Sequence, residues 1–345
     1  MKRLGFLSFG HYGPVQGSRT RTASDMLHQS VDLAVAAEEV GAHGAFVRVH
    51  HFARQAGNPF AVLAAIAART STLEMGTGVI DMRYENPLAL AEVAASLDLL
   101  SDQRLQLGIS RGSPETVVEG YRSFGYEPQP GDERAADLAR QHTDRFLEAV
   151  RGRPMAMSDP RMTGMSRPVA LEPRSETLPQ RIWWGSGTRA TARWAAEQGL
   201  NLMSSTLLTE DTGVPFDQLQ AEQLRDFRAE WARHDRGWTP RVSVSRSVLP
   251  VFDDETRRYF GLEAQREGGD QVGVIDGFVS RFGKSYVGEP DAIAADLAAD
   301  EAVAEADTLL VTVPNQLGVD FNARLLEVIV REILPALPDR GHDLG

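Results

Sequence analysis

Short apolar or β-branched runs alternate with amphipathic helical periods along nearly the whole of this 345-residue chain, and that alternation most limits its fold. Runs at 4–9, 45–49, 73–80, 104–110, 181–184, 200–204, 242–252 and 308–313 read as eight strands. The first helical period begins at Ser24, a capping residue, carries Leu27, Val31, Ala34 and Val35 on one face and closes at Gly41. Asn58-Pro59 and Asn86-Pro87 each set a capping side chain before a proline suited to the first helical turn, opening helices to about 70 and 101. Further helices are predicted at about 133–150, 190–198, 216–236, 290–299 and 323–334, the last stopped by Pro335. The pattern predicts an α/β fold, a (β/α)8 TIM barrel in one domain over 1–345, with insertions after strands 4 and 7 at about 112–180 and 253–285. An open doubly wound sheet is the alternative. Against it, Gly10-His11-Tyr12-Gly13-Pro14 follows the first strand, where a dinucleotide fold carries G-x-G-x-x-G.

Composition then narrows the chemistry. The chain has no cysteine, which excludes thiolate nucleophiles, disulfides, iron–sulfur clusters and cysteine-ligated zinc. Its lysines are Lys2 and Lys284, so Schiff-base and pyridoxal-phosphate mechanisms have one candidate beyond the N-terminal one. A formal net charge of −12 argues against a nucleic-acid surface. No apolar run is long enough to span a membrane, and the opening Met1–Gly10 segment reads as a strand rather than a signal peptide, so a cytoplasmic enzyme is expected.

In such a barrel the loops after the strands form the active-site face, so the strand ends supply the candidates. They are His11 and Tyr12 after the first strand, His50 and His51 after the second, and Asp81 after the third. Ser110-Arg111-Gly112 follows the fourth, and Gly185-Ser186-Gly187-Thr188 the fifth. A Gly-Ser-Gly-Thr run opening a helix offers N–H groups, hydroxyls and the positive end of a helix dipole, which suit a phosphate, with Arg111 as charge partner. It reads equally as a plain turn capped by Thr188 or Gly187, and Arg111 as a structural ion pair. Adjacent on extended backbone, His50 and His51 point to opposite sides, which disfavours a shared metal and lets one serve as base. Gly76 and Gly78 imply close approach to a ligand or a bulge, and Met155, Met157, Met162 and Met165 an apolar pocket or an ordinary loop.

Several segments then line up in order: FVRVHHF at 46–52, NPF at 58–60, LEMGTGVI at 73–80, NPLALAE at 86–92, LDLLS at 97–101, RLQLGISRG at 104–112, WAAEQG at 194–199 and VGEP at 287–290. Together they resemble the bacterial luciferase-like, flavin-dependent monooxygenase family, from about residue 4 to 335. The resemblance implies a (β/α)8 barrel that binds FMN at the strand ends and dimerises through its early helices. It implies that reduced FMN and dioxygen oxygenate a small organic substrate. By position, His50 matches the catalytic histidine, and Gly78-Val79, following Thr77, a cis peptide against which the flavin packs. Arg111, beside Ser110, matches the phosphate arginine, and Gly185, Ser186, Gly187 and Thr188, with Thr191 one turn on, the second phosphate contact. Val49 stands where luciferase proper has Glu, and Ser110 where it has a reactive cysteine, so light emission is not inferred.

The expected function is thus an FMN-dependent monooxygenase, a homodimer served by a flavin reductase or by reduction of bound flavin. His50 is its acid/base, and His11, Tyr12, His51 and the Met-rich segment lie on the substrate side; no metal is expected. The alternatives are a deazaflavin-dependent oxidoreductase of the same superfamily, a metal-dependent barrel hydrolase using His50 or His51 with Asp81, and a flavin-binding barrel without catalysis.

Overall fold

The computed structural model describes residues 2–112, 115–132, 135–210, 212–265, 270–275 and 278–338, and only the main chain of 271–275 and 278–282. Eight parallel strands close on themselves: β1 (Arg3–Ser8), β2 (Gly44–Val47), β3 (Glu74–Thr77), β4 (Leu105–Ser110), β5 (Ile182–Ser186), β6 (Asn201–Ser204), β7 (Val242–Pro250) and β8 (Thr308–Val313). Each pairs with the next, and β8 pairs with β1, with Arg3 opposite Thr308. The helices returning between them are α1 (Ala23–Glu39), α2 (Phe60–Arg69), α3 (Pro87–Leu100), α4 (Ala136–Val150), α5 (Arg189–Gln198), α6 (Phe216–Trp231), α7 (Pro290–Ala299) and α8 (Val319–Val328). The expected TIM barrel is the observed architecture.

Alternation along each strand sorts side chains between two cores. Val47, Leu107, Trp184, Leu202, Val244 and Leu309 face the helices in one continuous core. Leu7, Phe46, Trp183, Met203 and Leu310 fill the lumen, with Phe9 and Val79 above them. Below that layer, Glu74 accepts from Arg241 at 2.8 Å, Arg3 at 3.0 Å and Gln106 Nε2 at 3.1 Å, and Gln106 Oε1 accepts from Trp183 Nε1 at 2.7 Å. The bottom of the barrel is thus plugged by paired charges, and ligands are left with the other end.

Several boundaries differ from the sequence reading. The cap of α1 is Thr22, not Ser24: its hydroxyl accepts from Asp25 N while the Asp25 carboxylate accepts from Thr22 N, a reciprocal capping box. The third strand stops at Thr77, the Gly78–Val79 peptide is cis, as the resemblance implies, and pairing with β4 resumes at Ile80–Asp81. The closing helix begins at Val319 and passes at Ile329 into a wider π turn. After β7, a helix at Asp254–Ala264 precedes two antiparallel strands, Gln271–Ile275 and Phe278–Phe282, the second pairing with Leu207–Leu208 beyond β6.

The Met-rich segment lies at the end of the barrel away from the strand C-termini. Helix α4 runs back against the strands, so the chain between its end and the start of β5 belongs to the bottom. Ser175 Oγ and Arg181 Nη2 bind the Asp98 carboxylate at 2.6 and 2.7 Å, fastening it to the last turn of α3. Met157, Met162 and Met165 are exposed, and Met155 packs on the main core. These methionines therefore line no substrate pocket.

Candidate active site

At the strand C-termini the floor of the mouth is made from Val79 and glycines. A Cβ on Gly108 would lie 2.1 Å from Thr77 O and 2.9 Å from Val79 Cγ1, and one on Gly185 would lie 3.2 Å from both Val79 methyls. At Gly108 a side chain would collide with main chain, so only glycine fits there, and at Gly185 a Cβ would press Val79 out of place. Thr77 is fully buried beneath this floor, its hydroxyl bound to Gly108, so it supports the site from below. Ser110 is nearly buried, and its Oγ accepts from Gly112 N at 3.0 Å.

Beside the floor stands the start of α5. Thr188 caps it, accepting from Thr191 N at 3.2 Å, and the two threonine hydroxyls are 2.9 Å apart. Ser186 points behind the strand, where its hydroxyl donates to Thr188 O at 2.9 Å and accepts from Gln223 Nε2 at 3.2 Å. Ser186 and Thr191 thus brace the turn, while Gly187 and Thr188 form its rim. The helix end already attracts an anion: Glu210 accepts from Arg189 N at 2.9 Å and lies 3.5 Å from Arg189 Nε. Arg111 follows β4 on the same side with an exposed side chain.

The histidines lie just beyond β2, with His51 already in a turn, and their side chains meet different neighbours. His50 stays with Arg48 and His11, and burial, then the charge of Arg48 and the rings of His51 and His11, bring its pKa down to about 4. At neutral pH it is an uncharged imidazole. His11 is lowered by burial and by Arg48; its ring stacks 5.9 Å from Phe9, and Gln55 Nε2 is 3.2 Å from its Nδ1. Asn315 of the β8–α8 connection binds both the N–H and the C=O of His11, fixing this loop, and the neighbouring Tyr12 donates its N–H to Arg54 O.

His51 turns the other way into an aromatic cluster. It stacks on Tyr84 at 4.3 Å and meets the edge of Phe124 at 4.9 Å, and among the described residues its buried Nε2 has no hydrogen-bond partner. Burial lowers its pKa, opposed by the charge of Asp81. The Tyr84 hydroxyl donates to Glu115, while Arg83 donates from Nε to Asp81 at 3.0 and 3.1 Å and lies 3.5 Å from Glu115. Sequence reasoning missed Arg83, Tyr84, Glu115 and Phe124, whose loops carry no periodic pattern; the available signal was that Arg83 and Tyr84 directly follow strand-end Asp81. It also missed Glu85, whose carboxyl burial, then Asp81, raise to about 7. Among the described residues no cluster of three or more acidic or histidine side chains could hold a metal ion.

The family described as luciferase-like monooxygenase matches residues 3–259. Protein y4wF of Sinorhizobium fredii is 29% identical over 202 residues, which are 58% of this chain and 56% of that protein, so the match spans little more than half of the relative. The oxygenating constituent of 3,6-diketocamphane monooxygenase from Pseudomonas putida, a type II Baeyer-Villiger enzyme solved with FMN, superposes with TM-score 0.70 at 16% identity over 99% of this chain and 100% of that one. Coenzyme F420 dependent tetrahydromethanopterin reductase from Methanopyrus kandleri superposes with TM-score 0.64 at 14% identity over 97% and 99%.

Proposed function

The chain belongs to the luciferase-like monooxygenase family of flavin-dependent oxidoreductases, and on that premise we propose that it is an FMN-dependent monooxygenase that uses reduced FMN and dioxygen to oxygenate a small organic substrate. A flavin reductase, or reduction of the bound flavin, supplies the electrons, and the protein acts as a homodimer. The exposed Val93, Leu99 and Leu100 of α3 offer apolar surface to a second copy.

One observation carries the reading. A hydroxyl- and N–H-rich helix start with Arg111 beside it faces, across an apolar Val79 floor, a histidine that is neutral at physiological pH. The residues present fit FMN. Arg111, Thr188 and the first-turn N–H groups of α5 match a phosphate, for which the ligand competes with Glu210, and the Val79–Gly185 floor accepts a flat ring. When bound in reduced form, the flavin supplies the reducing electrons for dioxygen activation. The chain's own part is to bind, orient and exclude water. A neutral ring nitrogen of His50 takes or holds a proton beside the reacting centre, and His51, packed between Tyr84 and Phe124, walls the mouth.

The test is a titration with FMN, followed by absorbance and thermal shift, alongside deazaflavin and zinc. FMN should stabilise the protein, and Arg111→Ala should weaken FMN binding roughly 10- to 100-fold while the fold survives. Unchanged affinity removes the phosphate assignment. His50→Ala should abolish turnover with flavin still bound, and full activity reassigns the base. Stabilisation by deazaflavin alone supports hydride transfer without dioxygen, the reading favoured by likeness to the Methanopyrus reductase; stabilisation by zinc alone overturns both.

A further inference from the structure

We propose that Arg48 is a second anion subsite in the barrel mouth, built to take the carboxylate of the organic substrate. As a statement about substrate, it rests on the monooxygenase reading. Phe46 points into the lumen, so Arg48, two residues on and still laddered to Ser8 O, points there too, and its guanidinium lies 4.7 Å from the centre of the Phe9 ring. Elsewhere in the barrel Arg83 has Asp81 and Glu115, Arg3 and Arg241 share Glu74, and Arg246 has Asp300. Among the described residues Arg48 has the Phe9 ring and no carboxylate, and burial alone shifts its ionisation.

A half-buried cation without a counter-charge destabilises a fold unless a ligand supplies one. Its titratable neighbours add no negative charge, for they are His11 and His50, both held towards the neutral form partly by Arg48 itself. The cofactor's phosphate does not match this position: its donors stand on the β4 and β5 connections, whereas Arg48 leaves β2 on the other side of β3. A planar, forked guanidinium backed by Phe9 suits a carboxylate carried on an apolar or aromatic body.

Calorimetric titration of the apo and FMN-loaded protein with benzoate and 3-phenylpropionate, each against its amide, tests this. The better carboxylate should bind about tenfold or more tightly than its amide in both forms. Arg48→Met should erase that preference, change FMN affinity less than about twofold and melt no lower than wild type, because it removes an uncompensated charge; Arg48→Lys should keep part of the preference. Equal binding of acids and amides overturns the proposal. So does an FMN defect in Arg48→Met as large as in Arg111→Ala, which would give Arg48 to the cofactor, or a lower melting temperature, which would make it structural. If wild type binds carboxylates selectively but not FMN, the cofactor reading fails and the subsite stands.

Discussion

The Thr77 hydroxyl replaces a rung of the barrel ladder, donating to Gly108 O at 2.7 Å and accepting from Gly108 N at 3.0 Å. Main-chain pairing of β3 with β4 covers Met75 and Gly76 and resumes only at Ile80, so this side chain closes the gap under the floor of the mouth. Thr77→Val keeps the shape but strands two buried main-chain groups, and should cost about 2–4 kcal/mol in urea unfolding. Thr77→Ser should recover most of that loss. A valine variant as stable as wild type would show that the bond contributes nothing.

His50 sets an acid limit on stability. Its folded pKa of about 4 lies below the ordinary 6.5, so between those values the folded protein binds fewer protons than the unfolded chain. Stability therefore rises with pH through that window and is lost as pH falls. His11, His51 and His142, also lowered by burial, act with the same sign. His50→Gln should flatten the curve between pH 6.5 and 4 by on the order of 1–2 kcal/mol. A parallel pair of curves would mean that His50 titrates normally.

Glu85 acts in the opposite direction. Its carboxyl, raised from 4.5 to about 7, makes the folded state bind more protons than the unfolded chain across that interval, so its contribution falls as pH rises. Glu85→Gln should raise the melting temperature by a few degrees at pH 8 and leave it unchanged at pH 4. Equal shifts at both values would trace the effect to something other than ionisation.

Asp98 separates the two ends of the barrel. It is fully buried and holds Ser175 and Arg181 far from the mouth. Asp98→Ala should cost about 3–5 kcal/mol by leaving the arginine without its charge partner, yet leave FMN affinity within about twofold. A large loss of affinity in a variant that remains folded would couple the ends.

The barrel was legible because its signals are local. The Asn86 side chain accepts from Leu88 N and Ala89 N, as an asparagine before a helical proline should, and His51 turns to Tyr84 while His50 stays by Arg48, as adjacent residues at a strand end are expected to diverge. The Thr22 cap was hidden because Ser24 is an equally good capping type, and only the partner three residues on distinguishes them. The pairing of Tyr84 with Glu115 joins two irregular loops 31 residues apart, which no periodicity encodes. Arg48 was visible as a residue, but its lack of a counter-charge among the described residues is a property of the packed lumen. The placement of the methionines depended on the direction of α4, which the sequence places only as a helix.

Between Asp159 and Arg167 the chain turns outward through Gly164, where an added side chain would meet nothing within 4 Å. With the exposed Met162 and Met165 on either side, this turn is a handle on the far side of the protein from its chemistry. A fluorophore or affinity tag inserted there would leave the mouth unobstructed while ligand binding is followed in solution.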